Sequence, residues 1–174
     1  MIRFSTLDVE MPPLEPQGVK VWIEGVATRY GKTIGELYYY FCSDDKLLEI
    51  NRERLGHDFY TDIVTFPLTD CETVLSSEFC ISIDRIKENA VTFGRSYESE
   101  LHRVIIHGVL HLIGFDDHTE EDVKEMREQE EKALELLLRG TTPEPFTVMA
   151  DADPPSPLRV DKTSQRGDCG SSPQ

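Results

Sequence analysis

His107-Gly108-Val109-Leu110-His111-Leu112-Ile113-Gly114-Phe115-Asp116-Asp117-His118 closes a segment with a broad apolar face, and the rest of the chain is read outward from it. Leu101, Val104, Ile105, Val109 and Leu112 recur at helical spacing, which predicts a helix over residues 98–113. Four residues turn a helix by about 400°, so His107 and His111 share one face about one turn apart. Gly114 suits the end of such a helix, where the chain must reverse. Asp116, Asp117 and His118 follow at once, and any of the three could join the two imidazoles. Two histidines, a third ligand and an open water position form the usual pattern of a catalytic zinc site. No Glu follows His107, so the HExxH pattern of zinc peptidases is absent. His102 lies about 140° around the helix from His107, off the metal face, and is expected to be structural or exposed.

Around this helix the patterns alternate. Ile2 and Phe4 suggest a first strand, and Val19, Trp22, Ile23, Val26, Ala27 and Tyr30 a helix ended by Gly31. Leu37, Tyr39 and Phe41 alternate in a strand over 33–42. Ser43 caps a helix carrying Leu47, Leu48 and Ile50. Residues 62–66 read as a short strand stopped by Pro67. Phe79, Ile81 and Ile83 alternate in a fourth strand. Asp84 is placed to cap a helix with Ile86, Ala90 and Phe93, ended by Gly94. Thr119 opens a last helix, with Asp122 in a capping-box position, and Arg139-Gly140 closes it. The expected architecture is a single α+β domain over residues 1–140, with a small mixed four-stranded sheet and about five helices. From Thr141 on, Pro, Ser, Asp and Thr dominate, and residues 141–174 are expected to form a mostly disordered tail.

The chain has 174 residues and a formal net charge of -15, which disfavours a broad nucleic-acid or membrane surface. The tail contributes little, with five acidic against three basic residues, so the body itself is acidic. Any affinity for RNA must be local, drawn from Arg52, Arg54, Lys87, Arg95 or Arg103, or a metal must supply the positive charge. No run approaches the ~20 apolar residues of a membrane helix. Cys42, Cys71, Cys80 and Cys169 form no CxxC pair. Neither a disulfide scaffold nor a thiolate zinc site is therefore expected, a cytoplasmic location is the simple expectation, and Cys42 and Cys80 read as small buried hydrophobes in strands.

Three separated motifs resemble one known family. The histidine segment is similar to the HGxLHLxGYDH signature of the YbeY family, with Phe115 for the Tyr. Thr61-Asp62-Ile63-Val64-Thr65-Phe66-Pro67 resembles its TDVLSFP segment, and Glu78-Phe79-Cys80-Ile81-Ser82-Ile83-Asp84 its GDIxISxD strand. The resemblance spans residues 20–138. It implies a zinc-dependent endoribonuclease specific for single strands, acting in ribosomal RNA processing at the 3′ end of the small-subunit (16S) RNA and in ribosome quality control. It further implies partners among ribosomal RNA and small-subunit components, with no DNA and no membrane, and one zinc ion held by three histidines. The third histidine of that pattern falls at Asp117, and counting back from Met126 gives the same register. The expected ligands are therefore His107, His111 and Asp117, with His118 as the alternative third ligand. The family's arginine, six residues before the Thr of TDV, falls at Leu55, and neighbouring Arg54 is the candidate catalytic cation in its stead. A non-catalytic ribosome-maturation factor with a structural zinc is the alternative function.

Overall fold

The computed structural model describes residues 1–140, so the expected tail over 141–174 lies outside the described residues. The strands are β1 (Ile2–Thr6), β2 (Thr33–Cys42), β3 (Ile63–Pro67) and β4 (Val74–Ser82). The helices are α1 (Pro16–Arg29), α2 (Asp44–Leu55), α3 (Ile83–Thr92), α4 (Tyr97–Ile113) and α5 (Glu120–Leu138). The sheet order is β1-β2-β4-β3. β1 runs parallel to β2, and β2 to β4, while β3 pairs antiparallel with β4 at the edge. Parallel neighbours need a crossover, which α1 supplies between β1 and β2. The fold is thus the expected α+β domain with a mixed four-stranded sheet and five helices.

The two faces of the sheet carry different layers. Leu37, Tyr39 and Phe41 of β2 and Phe79 and Ile81 of β4 turn to one face, where they pack against residues of α1, α4 and α5. Trp22 is fully buried there, and its Nε1 donates to the Ala133 carbonyl at 2.7 Å, tying α1 to α5. Tyr40, Cys42, Val64, Phe66 and Cys80 turn to the other face, with Leu47 and Ile50 of α2. Burial pushes the Cys42 thiol up to about 12 and the Cys80 thiol up to about 11, so both pack as small hydrophobes.

Local signals explain most boundaries. Ser43 accepts from the Lys46 amide at the start of α2, and Thr119 and Asp122 exchange bonds in a capping box at the start of α5. The expected Asp84 cap is corrected to Ser82. Its Oγ accepts from the Arg85 amide, so Ile83 begins α3 rather than continuing β4. Phe93, expected along the apolar stripe, is the exposed C-cap of α3.

Gly108 decides how closely α4 approaches the sheet. A Cβ there would stand 2.7 Å from Phe79 Cε1 and 2.9 Å from Ile63 Cδ1, closer than packed carbon atoms come. Gly108→Ala should therefore destabilise the fold by about 1–2 kcal/mol, because overpacking outweighs alanine's helix preference of up to ~1 kcal/mol. A urea midpoint unchanged from wild type would refute that packing argument.

β3 leaves one edge of the sheet open. The Asp62 carbonyl accepts from the Ser82 amide, and the Leu68 amide donates to Ser76. By alternation, the even-numbered residues of β3 bond to β4, and Ile63, Thr65 and Pro67 turn their backbone groups outward. Pro67 has no N–H to offer there.

Candidate metal centre

Helix α4 presents both histidines, as the spacing predicts. Gly114 (φ +124°) lets the chain leave α4 in a conformation that L side chains disfavour. Phe115 then buries its ring against Tyr30, 5.5 Å between centroids, and anchors the return of the chain. Asp117 comes back over the two imidazoles. His111 Nε2 and His107 Nε2 lie 2.9 Å apart, and Asp117 Oδ2 is 3.7 Å from each. Zinc bonds of about 2.0–2.1 Å in a tetrahedron put ligand atoms about 3.3 Å apart. The three observed separations straddle that value.

The far side of each ring fixes its tautomer. His107 Nδ1 donates to Glu130 Oε1 at 2.7 Å, and His111 Nδ1 donates to the Phe115 carbonyl at 3.0 Å. An ionised carboxylate and a carbonyl only accept, so both protons sit on Nδ1. In the neutral tautomer so fixed, each ring turns a bare Nε2 lone pair toward the other. Burial, and then the neighbouring His107, hold the His111 pKa below the usual histidine range, which favours the neutral ring. Two lone pairs at 2.9 Å repel unless a cation lies between them, and Asp117 adds a negative oxygen to the same point. These donors fit a divalent metal ion. Asp117 is exposed, which leaves the fourth position open to solvent.

His118 is placed differently. Its side chain is 82% exposed, and Nε2 lies 3.3 Å from Asp116 Oδ1. Asp116, Asp117 and His118 make a second cluster of acidic and imidazole groups. Only Asp117 belongs to both clusters.

Behind His107 lies a network the sequence reading missed. Glu130 is buried, and it accepts from Arg103 Nη1 at 3.2 Å as well as from His107. Arg103 Nη2 donates to Glu100 Oε1 at 2.6 Å and lies 3.8 Å from Asp62. Glu100 is fully buried and also receives Arg95 at 3.2 Å. Burial pushes the Glu130 carboxyl upward, but the His107 bond and the Arg103 charge outweigh it and hold the group below its usual range. Two carboxylates raise Arg103 in turn, against burial, and keep it charged. The signal was present in α5: Glu130 lies four residues after Met126 and three before Ala133, on the apolar stripe itself.

Several sequence candidates are not brought to the histidines. Arg54 packs over the Phe66 ring at 4.0 Å and pairs with Glu78 at 3.0 Å, on the α2 face of the sheet, opposite α4. Arg103, a candidate for RNA contact, is a largely covered cation engaged by Glu100, Glu130 and Asp62. Arg52 pairs with Asp58, and Arg95 with Glu100. His102 is half-buried edge-on against Trp22, 5.8 Å between centroids, and burial lowers its pKa.

Known proteins resemble this chain in sequence and fold. The family model described as endoribonuclease YbeY matches residues 14–138. A protein named endoribonuclease YbeY from Bacteroides thetaiotaomicron is 47% identical over 135 residues, covering 78% of this chain and 98% of the relative. Its namesake from Porphyromonas gingivalis W83 is 46% identical, covering 80% and 91%. A solution structure of a Thermotoga maritima protein superposes with a TM-score of 0.56 at 31% identity, covering 80% of this chain and 90% of that one.

Proposed function

The chain belongs to the endoribonuclease YbeY family, and on that footing we propose that it is a zinc-dependent endoribonuclease that cleaves single-stranded RNA during ribosomal RNA maturation. Its ion is held by His107, His111 and Asp117. The observation that carries this reading is the convergence of two bare Nε2 atoms at 2.9 Å, with the Asp117 carboxylate 3.7 Å from each.

When bound, such an ion supplies Lewis acidity: it lowers the pKa of bound water and polarises a phosphate oxygen. The protein's part is positioning. His107 and His111 are locked by their Nδ1 bonds, so neither ring has to turn on binding. Asp117 brings one negative charge where a third histidine would bring none. The site keeps less net positive charge, and its water is less acidic than in a three-histidine centre. The Asp116 carboxylate accepts from the Asp117 amide at 2.8 Å and holds the returning loop. The acidic body makes this small cationic centre the place where a phosphodiester can be met.

The test is metal analysis and RNA cleavage of purified wild type beside Asp117→Ala and His118→Ala. Asp117→Ala should lose zinc and cleavage together, and His118→Ala should keep both. The reverse pattern would move the third ligand to His118. The commitment of Arg54, Arg95 and Arg103 to carboxylates favours a second reading, a ribosome-maturation factor with a structural zinc. A wild type that holds one zinc but cleaves no RNA would decide for it.

A further inference from the structure

Beside the open edge of β3 lies a cavity of about 230 Å³, lined by Leu55, His57, Phe59, Thr61, Ile63 and Thr65 among others. Its outer wall is an exposed aromatic pair. The His57 and Phe59 rings stack 5.3 Å apart at 21°, and Phe59 is 56% exposed. Large rings left in water are held there only if the loop carrying them is fixed, and this loop is. Gly56 leaves α2 in the left-handed region (φ +69°). The His57 amide then donates to the Asn51 carbonyl at 3.2 Å, and the buried Asn51 side chain donates to the Phe59 carbonyl at 3.0 Å. Asp58, which separates His57 and Phe59 in sequence, pairs with Arg52.

The opposite wall is backbone. Thr65 turns its N–H and C=O outward from the sheet, a donor and an acceptor one residue wide. Thr61 Oγ1 donates to the Ile63 carbonyl at 3.3 Å, which leaves Thr65 as the next outward pair. One residue of the cavity also packs against the helix that carries the histidines. Ile63 lines it and at the same time lies against Gly108, the residue beside His107. Asp62 reaches Arg103, which holds Glu130 behind the same imidazole.

We propose that this cavity is a nucleobase subsite, taking an unpaired base of the RNA strand whose phosphodiester lies at the metal centre. Phe59, backed by His57, stacks on the face of the base, and the Thr65 amide and carbonyl meet its hydrogen-bonding edge. Unpaired bases are held by aromatic stacking in this way, and a double helix, whose bases are already stacked, is excluded. The subsite gives single-strand preference without a basic groove, since Arg52, Arg54, Arg95 and Arg103 are each paired with a carboxylate.

The proposal rests on the RNA-cleaving reading above, and its test separates the two. A short 2′-O-methyl oligoribonucleotide with phosphorothioate linkages, which blocks attack by the 2′ oxygen and slows attack by metal-bound water, is titrated into the zinc-loaded protein. Phe59→Ala should weaken binding about 5- to 100-fold, the size of one lost base stack. Phe59→Trp should restore it, and its indole emission should be quenched by the oligonucleotide, because the only other tryptophan, Trp22, is fully buried. Equal affinity of Phe59→Ala and wild type, or no quenching at saturation, overturns the subsite even where wild type cleaves RNA. Binding and quenching as expected, with no cleavage of unmodified RNA by wild type, uphold the subsite while the nuclease reading fails.

Discussion

Arg103→Met should lower the unfolding free energy by about 3–5 kcal/mol, because it leaves Glu100 and Glu130 buried without their cation. The methionine keeps much of the apolar stem, so the loss reads the charge rather than a cavity. In a chain of this length that is a fall in Tm of roughly 6–20 °C. Urea denaturation checks it through the midpoint at unchanged slope. Arg52→Ala is the control. Its partner Asp58 is exposed, with side-chain exposures of 54% and 72%, and such pairs contribute at most about 1 kcal/mol. If both variants lost the same small amount, the buried network would be no more than a surface pair in energy.

Glu130→Gln should weaken zinc binding about 10-fold, and Glu130→Leu about 100-fold, the range found when the partner behind a ligating histidine is removed. The glutamine carbonyl can still accept from His107 Nδ1 but brings no charge, while leucine removes the bond and frees the ring to turn. Competition with a chromophoric chelator gives both constants without reference to catalysis. The order wild type, Gln, Leu separates a positioning role from general damage, since a merely structural Glu130 would leave all three affinities within about twofold. The same measurement on Arg103→Met should fall between, because that change disturbs Glu130 without touching the histidine.

The elements were legible wherever burial is one-sided. β2 declares itself through Leu37, Tyr39 and Phe41, whose alternation matches the pleat, and α5 through its capping box and stripe. The boundary between β4 and α3 was not, because Ile83 continues a period of two while the Ser82 hydroxyl already caps a helix. The His107–His111 pair was legible because it obeys local geometry. Asp117 rather than His118 was the expected third ligand from the register of the family signature alone; the physical reason that it turns to the pair, the return of the chain through Gly114 and the buried Phe115, shows only in the fold. Glu130 is one acidic residue among many in α5, and Glu128 and Glu131 beside it are exposed. Its phase with Met126 and Ala133 marked it, but a carboxylate on a buried stripe makes sense only once Arg103 and His107 stand opposite, and both come from another helix.

The end of β3 has a consequence for how these molecules behave in a crowd. A sheet edge with a row of outward donors and acceptors is a template for a strand from another chain, and the usual outcome is self-association. Here the row stops at Pro67, after Ile63 and Thr65. Two residues are too few to recruit a neighbouring strand, so the imino acid guards against fibre-like stacking of one copy on the next while leaving the N–H and C=O of Thr65 unsheathed.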